Sequence, residues 1–140
     1  MVLWIRISRL KNKFMKYDIS HALIEFAPES RFILRGRDYS GLEWLDTKRP
    51  KPTEDEINKK IAELDSMEAM NLLREERNSR LAKTDWRASS DLILSDAWKT
   101  YRQALRDLPE TATPKLNSTS YELDLTSVNW PEPPTPYKNS

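Results

Sequence analysis

The feature that most constrains this fold is the stretch from residue 53 to residue 108, which contains neither glycine nor proline. Glycine and proline are the residues that most often break helices, so this stretch predicts long helices. Thr53 and Glu56 have the spacing of a capping box at its start. Apolar residues then recur at helical spacing and predict a first helix that reaches about Lys83. A break near residues 65 and 66 is the alternative.

A second helix is predicted later in the same stretch, with Ser95 as its N-cap. Four large apolar residues share one face of this helix and predict a single buried seam: Trp98, Tyr101, Leu105 and Leu108. Pro109 is expected to end the helix, because proline lacks the backbone N–H that a helix interior requires.

The residues before position 53 predict a short helix followed by a β-hairpin. A helix is expected over residues 19–26, and strands over residues 31–35 and 42–45. Both glycines of the chain, Gly36 and Gly41, lie in the intervening turn. A two-stranded hairpin is marginally stable alone, so this one must pack on a helix. We therefore predict a mainly helical α+β fold, with the short helix and hairpin on the long helix and the second helix antiparallel to it.

The chain is expected to divide into three parts. They are a basic N-terminal extension over residues 1–14, a single α+β domain over residues 15–109, and an extended proline-rich tail over residues 110–140. The domain comprises a helix-hairpin part over residues 15–50 and two helices over residues 53–109. Weak alternation over residues 121–125 predicts one short strand in the tail that borrows a partner.

The N-terminal extension carries four basic residues and no acidic residue. Its apolar residues recur at helical spacing, which is typical of a basic amphipathic helix, although alternation also permits a strand. It is either an ordinary terminal element, an upstream extension with Met15 as the true start, or an arm that binds a membrane or a nucleic acid. It lacks the long apolar core and cleavage site of a secretory signal.

Composition excludes most classes of reactive site. The chain has no cysteine and one histidine, so thiolate metal sites, iron–sulfur clusters and cysteine nucleophiles are ruled out. We interpret His21 as structural, and Asp38 and Glu43 as turn and strand residues. No stretch is apolar enough to span a membrane. We therefore predict no enzyme activity, no catalytic or metal-binding residue, no cofactor and no small-molecule substrate.

Basic residues recur at three-residue spacing near the end of the first helix: Arg74, Arg77, Arg80 and Lys83. Such a row could follow phosphates on a nucleic acid. However, Glu75 and Glu76 interleave with it, and Glu76 is placed to pair with Arg80. We interpret the row as a solvated helix face.

Large aromatic residues are the remaining candidates for function. Trp130 lies in the proline-rich tail and either docks back on the domain or inserts into a partner. We expect partner contacts from six residues of the tail and of the region between the helices: Trp130, Pro131, Pro133, Pro134, Trp86 and Tyr121.

Three segments in a fixed order resemble a known family. The first runs from Leu73 to Asn78 and on to Thr84-Asp85-Trp86, the second from Trp98 to Pro109, and the third from Val128 to Pro134. Together they resemble the phage tail assembly chaperone-like domain, which occurs in tail-fibre assembly and related minor tail proteins of tailed phages. The resemblance implies action by protein–protein contact, with no catalytic residue and no cofactor.

These observations favour a phage tail or tail-fibre assembly factor whose partner is a tail or tail-fibre protein. A permanent minor component of the virion, such as a tail or fibre adaptor, is the alternative, and a small phage nucleic-acid-binding protein is a third and less favoured one. The corresponding locations are the host cytoplasm during assembly or the virion tail. The oligomeric state stays open, and a homo-oligomer is compatible with the sequence.

Overall fold

The computed structural model describes residues 16–88 and 93–135, so the predictions for residues 1–14 and for the end of the tail lie outside the described residues. The fold is mainly helical α+β, as predicted. Its helices and strands are α1 (Ile19–Phe26), β1 (Phe32–Leu34), β2 (Leu42–Trp44), α2 (Glu54–Ala82) and α3 (Asp96–Thr111). Three short 3₁₀ segments lie between them and in the tail.

The first half of the chain forms the predicted helix and hairpin. The Asp18 carboxylate caps α1 by accepting hydrogen bonds from the backbone N–H groups of Ser20 and His21. Strands β1 and β2 pair antiparallel, and Phe32 lies opposite Trp44 with the two rings stacked. In the turn, Gly36 has a φ of 84°, a value that other residues rarely adopt.

A first hydrophobic cluster joins α1 and the hairpin to the start of α2. Its buried members are Ile19, Ala22, Leu23, Leu42 and Ile57. Phe32, Leu34 and Trp44 pack against this cluster from the inner face of the hairpin. The hairpin therefore gains the helical support that two strands require.

Helix α2 is continuous from Glu54 to Ala82, without a break near residues 65 and 66. The capping box is present: the N–H of Thr53 donates to the Glu56 carboxylate at 2.8 Å, and the N–H of Glu56 donates to Thr53 Oγ1 at 3.2 Å. These bonds satisfy N–H groups that have no acceptor within the helix.

Helix α3 begins after the Ser95 cap, as predicted, and its seam is buried from Trp98 to Leu108. The prediction that Pro109 ends the helix is wrong, because α3 continues to Thr111. Proline has a helical φ and removes only one hydrogen bond, the one to the Leu105 carbonyl. The N–H of Ala112 donates to the Leu108 carbonyl at 3.0 Å and carries the helix past the proline.

The residues after α3 return across both long helices. An isolated antiparallel bridge joins Leu116 to Leu123, but the strand predicted over residues 121–125 does not form, because Tyr121 has a positive φ of 55° and a 3₁₀ turn begins at Leu125. A 3₁₀ turn at Leu125–Ser127 follows, and Val128 is then buried in a second cluster with Leu73 and Leu108. Of the helices in the described ranges, none is both long and apolar enough to cross a bilayer.

Candidate partner-binding surface

Trp130 lies where the tail crosses the end of α2. Its ring packs against the second cluster and also against a third cluster of Trp98, Tyr101 and Leu105. The guanidinium carbon of Arg80 lies 4.0 Å from the ring centroid, which is the geometry of a cation–π contact. The indole N–H donates to the Leu125 carbonyl at 3.2 Å. The chain itself therefore covers much of this side chain.

The turn that presents Trp130 is shaped by Asp124. Its carboxylate accepts hydrogen bonds from the hydroxyl and the backbone N–H of Thr126, and these bonds lower the pKa of Asp124. The hydroxyl of Ser127 in turn donates to the Asp124 carbonyl. Hydrogen bonds of this kind, from side chains to the backbone, stabilise short turns where the backbone has no regular secondary structure.

Arg102 fastens α3 to the end of α2. Its guanidinium is buried and donates to the Leu81 carbonyl at 3.1 Å, to the Thr84 hydroxyl and to the Asp85 carboxylate at 2.8 Å. Arginine suits this position because its planar fork can serve several acceptors at once. Thr84 and Asp85, which follow α2 in the chain, therefore supply acceptors for Arg102 of α3.

Close to these Arg102 contacts, which we call the Arg102 clamp, the guanidinium of Arg87 lies between two tryptophan rings. Its carbon is 4.3 Å from the Trp86 centroid and 4.2 Å from the Trp98 centroid. Trp98 meets Tyr101 edge-on, with centroids 5.6 Å apart. Trp98 is buried, whereas Trp86 is 47% exposed. The stack therefore ends in an exposed aromatic face that is held in a defined orientation.

The six expected partner-contact residues occupy different environments. Trp86 is exposed, and Trp130, Pro131, Pro133, Pro134 and Tyr121 are half-buried. Arg87 connects Trp86 to Trp98, which belongs to the cluster that Trp130 packs against, so Trp86 and Trp130 lie in the same half of the molecule. Tyr121 lies instead beside Lys16, whose Nζ is 6.0 Å from its ring centroid.

Three arginines make contacts that the sequence patterns did not predict. The Glu76–Arg80 pair is present at 2.9 Å, but Arg80 also contacts Trp130, while Arg77 donates to the Arg106 carbonyl at 3.3 Å. Arg102 follows Tyr101 directly and precedes Leu105 by three residues, so helical spacing already places it on the buried face. The position of Arg102 on the buried face of α3 is the signal in the sequence that could have identified the Arg102 clamp.

The arrangement suits recognition of another protein. An exposed tryptophan beside an arginine, as at Trp86 and Arg87, is typical of interface surfaces. Within residues 16–88 and 93–135, no group of three or more histidine or acidic side chains is placed to hold a metal ion.

A comparison with known protein families gives a match in the second half of the chain. Residues 70–135 match the model of the family described as phage tail assembly chaperone protein, so this part of the chain is similar to that family. The match spans the end of α2, α3 and the docked tail, just under half of the chain. It supports a role in phage tail assembly. No curated protein and no solved structure matches the chain.

Proposed function

We propose that this chain is an assembly factor for a phage tail or tail fibre and acts by binding a tail protein without catalysis. The observation that carries the proposal is that the residues matched by the family model are the same residues that form a hydrophobic core. The matched residues 70–135 are also the residues that build the clusters around Leu73, Leu105 and Trp130. A unit that folds around its own core can present a defined surface to a partner.

Within this unit, we assign the partner contact to Trp86 and to the residues after Trp130. Trp86 offers a large, half-exposed aromatic face beside Arg87. Pro131, Pro133 and Pro134 follow directly after the docked tryptophan. Proline-rich extended segments bind with little loss of conformational freedom, because proline already restricts the backbone. Trp130 then serves as the anchor that holds this segment in place.

Deletion of the gene from the phage that carries it tests the proposed role. We expect a large loss of complete tailed particles, measured by electron microscopy of lysates, and recovery when the intact chain is supplied in trans. Normal numbers of complete tails after deletion would contradict the proposal.

The alternative, a permanent minor component of the virion, predicts the same deletion phenotype. Its motivation is the tail from Tyr121 onward, whose extended and proline-rich segments suit contact along another protein. Mass spectrometry of purified virions separates the two functions. An assembly factor is absent from particles, whereas a tail or fibre adaptor is present at a fixed stoichiometry.

A further inference from the structure

A groove of about 530 Å³ lies between the second half of α2 and the docked tail. Three leucines, three glutamates and one serine line it: Leu72, Leu123, Leu125, Glu75, Glu76, Glu122 and Ser79. Leu125 is 48% exposed, so apolar surface faces the open side of the groove. The groove therefore combines an apolar surface with acidic side chains.

Two of the three glutamates have no cationic partner within the described part of the chain. Glu76 pairs with Arg80, but Glu75 and Glu122 form no ion pair among residues 16–88 and 93–135. Both are exposed. An occupant of complementary chemistry would be basic as well as apolar.

The described chain begins next to this groove. Lys16 Nζ lies 6.0 Å from the Tyr121 ring centroid, and Tyr121 directly precedes Glu122. Tyr17 lies close enough to Glu68 for that carboxylate, together with burial, to raise the pKa of the Tyr17 hydroxyl. Glu68, Leu72 and Glu75 follow one another at helical spacing, so the start of the described chain and the groove share one face of α2.

The segment that precedes Lys16 has the required composition. Residues 1–14 carry four basic side chains and no acidic one, together with Leu3, Ile7, Leu10 and Phe14 at helical spacing. Fourteen residues extend about 21 Å as an α-helix and further as a strand, which exceeds the roughly 10 Å along α2 from Glu68 to Glu75.

We propose that this groove binds residues 1–14 of the same chain, with their apolar side chains on the three leucines and their basic side chains against Glu75 and Glu122. Attachment at Lys16 favours this occupant over a free peptide, because a short tether gives a high effective concentration. The inference does not use the proposed role in tail assembly, so either can fail without the other.

The absence of cysteine allows a spin label to be placed at a single site in the full-length chain. A label on Ser8→Cys should remove most of the amide NMR signal intensity of Leu72, Leu123 and Leu125. A label on Ser40→Cys, in the exposed hairpin turn, is the matched control and should leave these signals unchanged. The double variant Glu75→Lys, Glu122→Lys should restore the signals lost with the Ser8 label, and high salt should restore part of them.

A mixture of spin-labelled chain with isotope-labelled, unlabelled chain identifies the source of the effect. Intact signals in the mixture support binding within one chain. Loss of the same signals in the mixture would mean that a second copy fills the groove and would overturn the proposal. Unchanged groove signals with the Ser8 label, or losses confined to other surfaces, would overturn it as well.

Discussion

At the scale of single residues, the C-terminal half depends on arginines that face inward. Arg102 is 9% exposed and serves acceptors on Leu81, Thr84 and Asp85. Removal of the guanidinium would leave the buried Thr84 hydroxyl oxygen without this donor, which costs more than a lost surface contact. The aliphatic stem of the same side chain also contributes packing.

Replacement of Arg102 with methionine separates these two contributions. Arg102→Met keeps an apolar stem of similar length and removes the donors, so the free energy of unfolding should fall by about 1–3 kcal/mol. Arg106→Met is the matched control on the exposed side of α3 and should stay within about 0.5 kcal/mol of the intact protein. Urea denaturation measures both changes. Equal stability of the two variants would contradict the assigned role of Arg102.

The two tryptophans provide a second comparison at this scale, because the same substitution should act differently at each position. Trp130→Ala removes a ring that packs on two clusters and should destabilise the isolated protein by about 1–3 kcal/mol. Trp86→Ala removes a half-exposed ring and should cost about 0.5 kcal/mol. Leu105→Ala, at a fully buried position, sets the upper reference with a loss of about 2–5 kcal/mol.

Thermal unfolding of the three variants checks this order. A melting temperature of Trp130→Ala equal to that of the intact protein would mean that the tail contributes nothing to the fold. Partner contact would then be the better assignment for Trp130.

Helical periodicity was enough to predict the α3 seam, whereas the position of Trp130 could not be predicted from the sequence. Trp98 and Leu105 lie on one helix, so their spacing fixes their common face. Trp130 meets Arg80 across fifty positions of chain, and no local pattern encodes that contact. The sequence left two outcomes open for Trp130, and docking onto the two long helices is the one found.

At the scale of elements, local rules account for the helix starts better than for the helix ends. Asp18, Thr53 and Ser95 each cap the helix that follows with their own side chains. Pro109 shows the opposite case, because burial of Leu108 and the hydrogen bond from Ala112 outweigh the single bond that proline removes. The end of α3 therefore depends on packing of Leu108 against other elements and not on the local sequence alone.

The cap of α1 predicts a dependence of stability on pH. Burial opposes ionisation of Asp18, but hydrogen bonds from Ser20 and His21 outweigh it, so the pKa of Asp18 in the folded protein lies below its ordinary value of 3.8. Ionised Asp18 therefore stabilises the fold above that pH, and this contribution is lost as the pH falls through the folded-state pKa.

Asp18→Asn tests this link, because asparagine caps helices well and carries no charge. We expect the melting temperature of the intact protein to fall more steeply below about pH 4 than that of the variant. Burial raises the pKa of Asp65, which acts in the opposite direction in both proteins and cancels in the comparison. Parallel pH profiles would contradict the assigned role of the Asp18 carboxylate.

At the scale of the whole molecule, α2 serves two hydrophobic regions. Its start packs on α1 and the hairpin, and its end packs on α3 and the tail. The family match begins at residue 70, so it covers only the second region. We propose that this second region promotes tail assembly by contact with another protein, and that Trp86 lies on the contact surface.

The most direct test is the yield of complete tailed particles from a phage that lacks the gene, with variants of the chain supplied in trans. Met67→Ala is the matched control, because Met67 is a large exposed residue on α2, 64% exposed, and precedes the matched residues. We predict that the intact chain and Met67→Ala restore complete tails, whereas Trp86→Ala, although folded, leaves most particles without them. Restoration by Trp86→Ala as full as that by the intact chain would contradict the account.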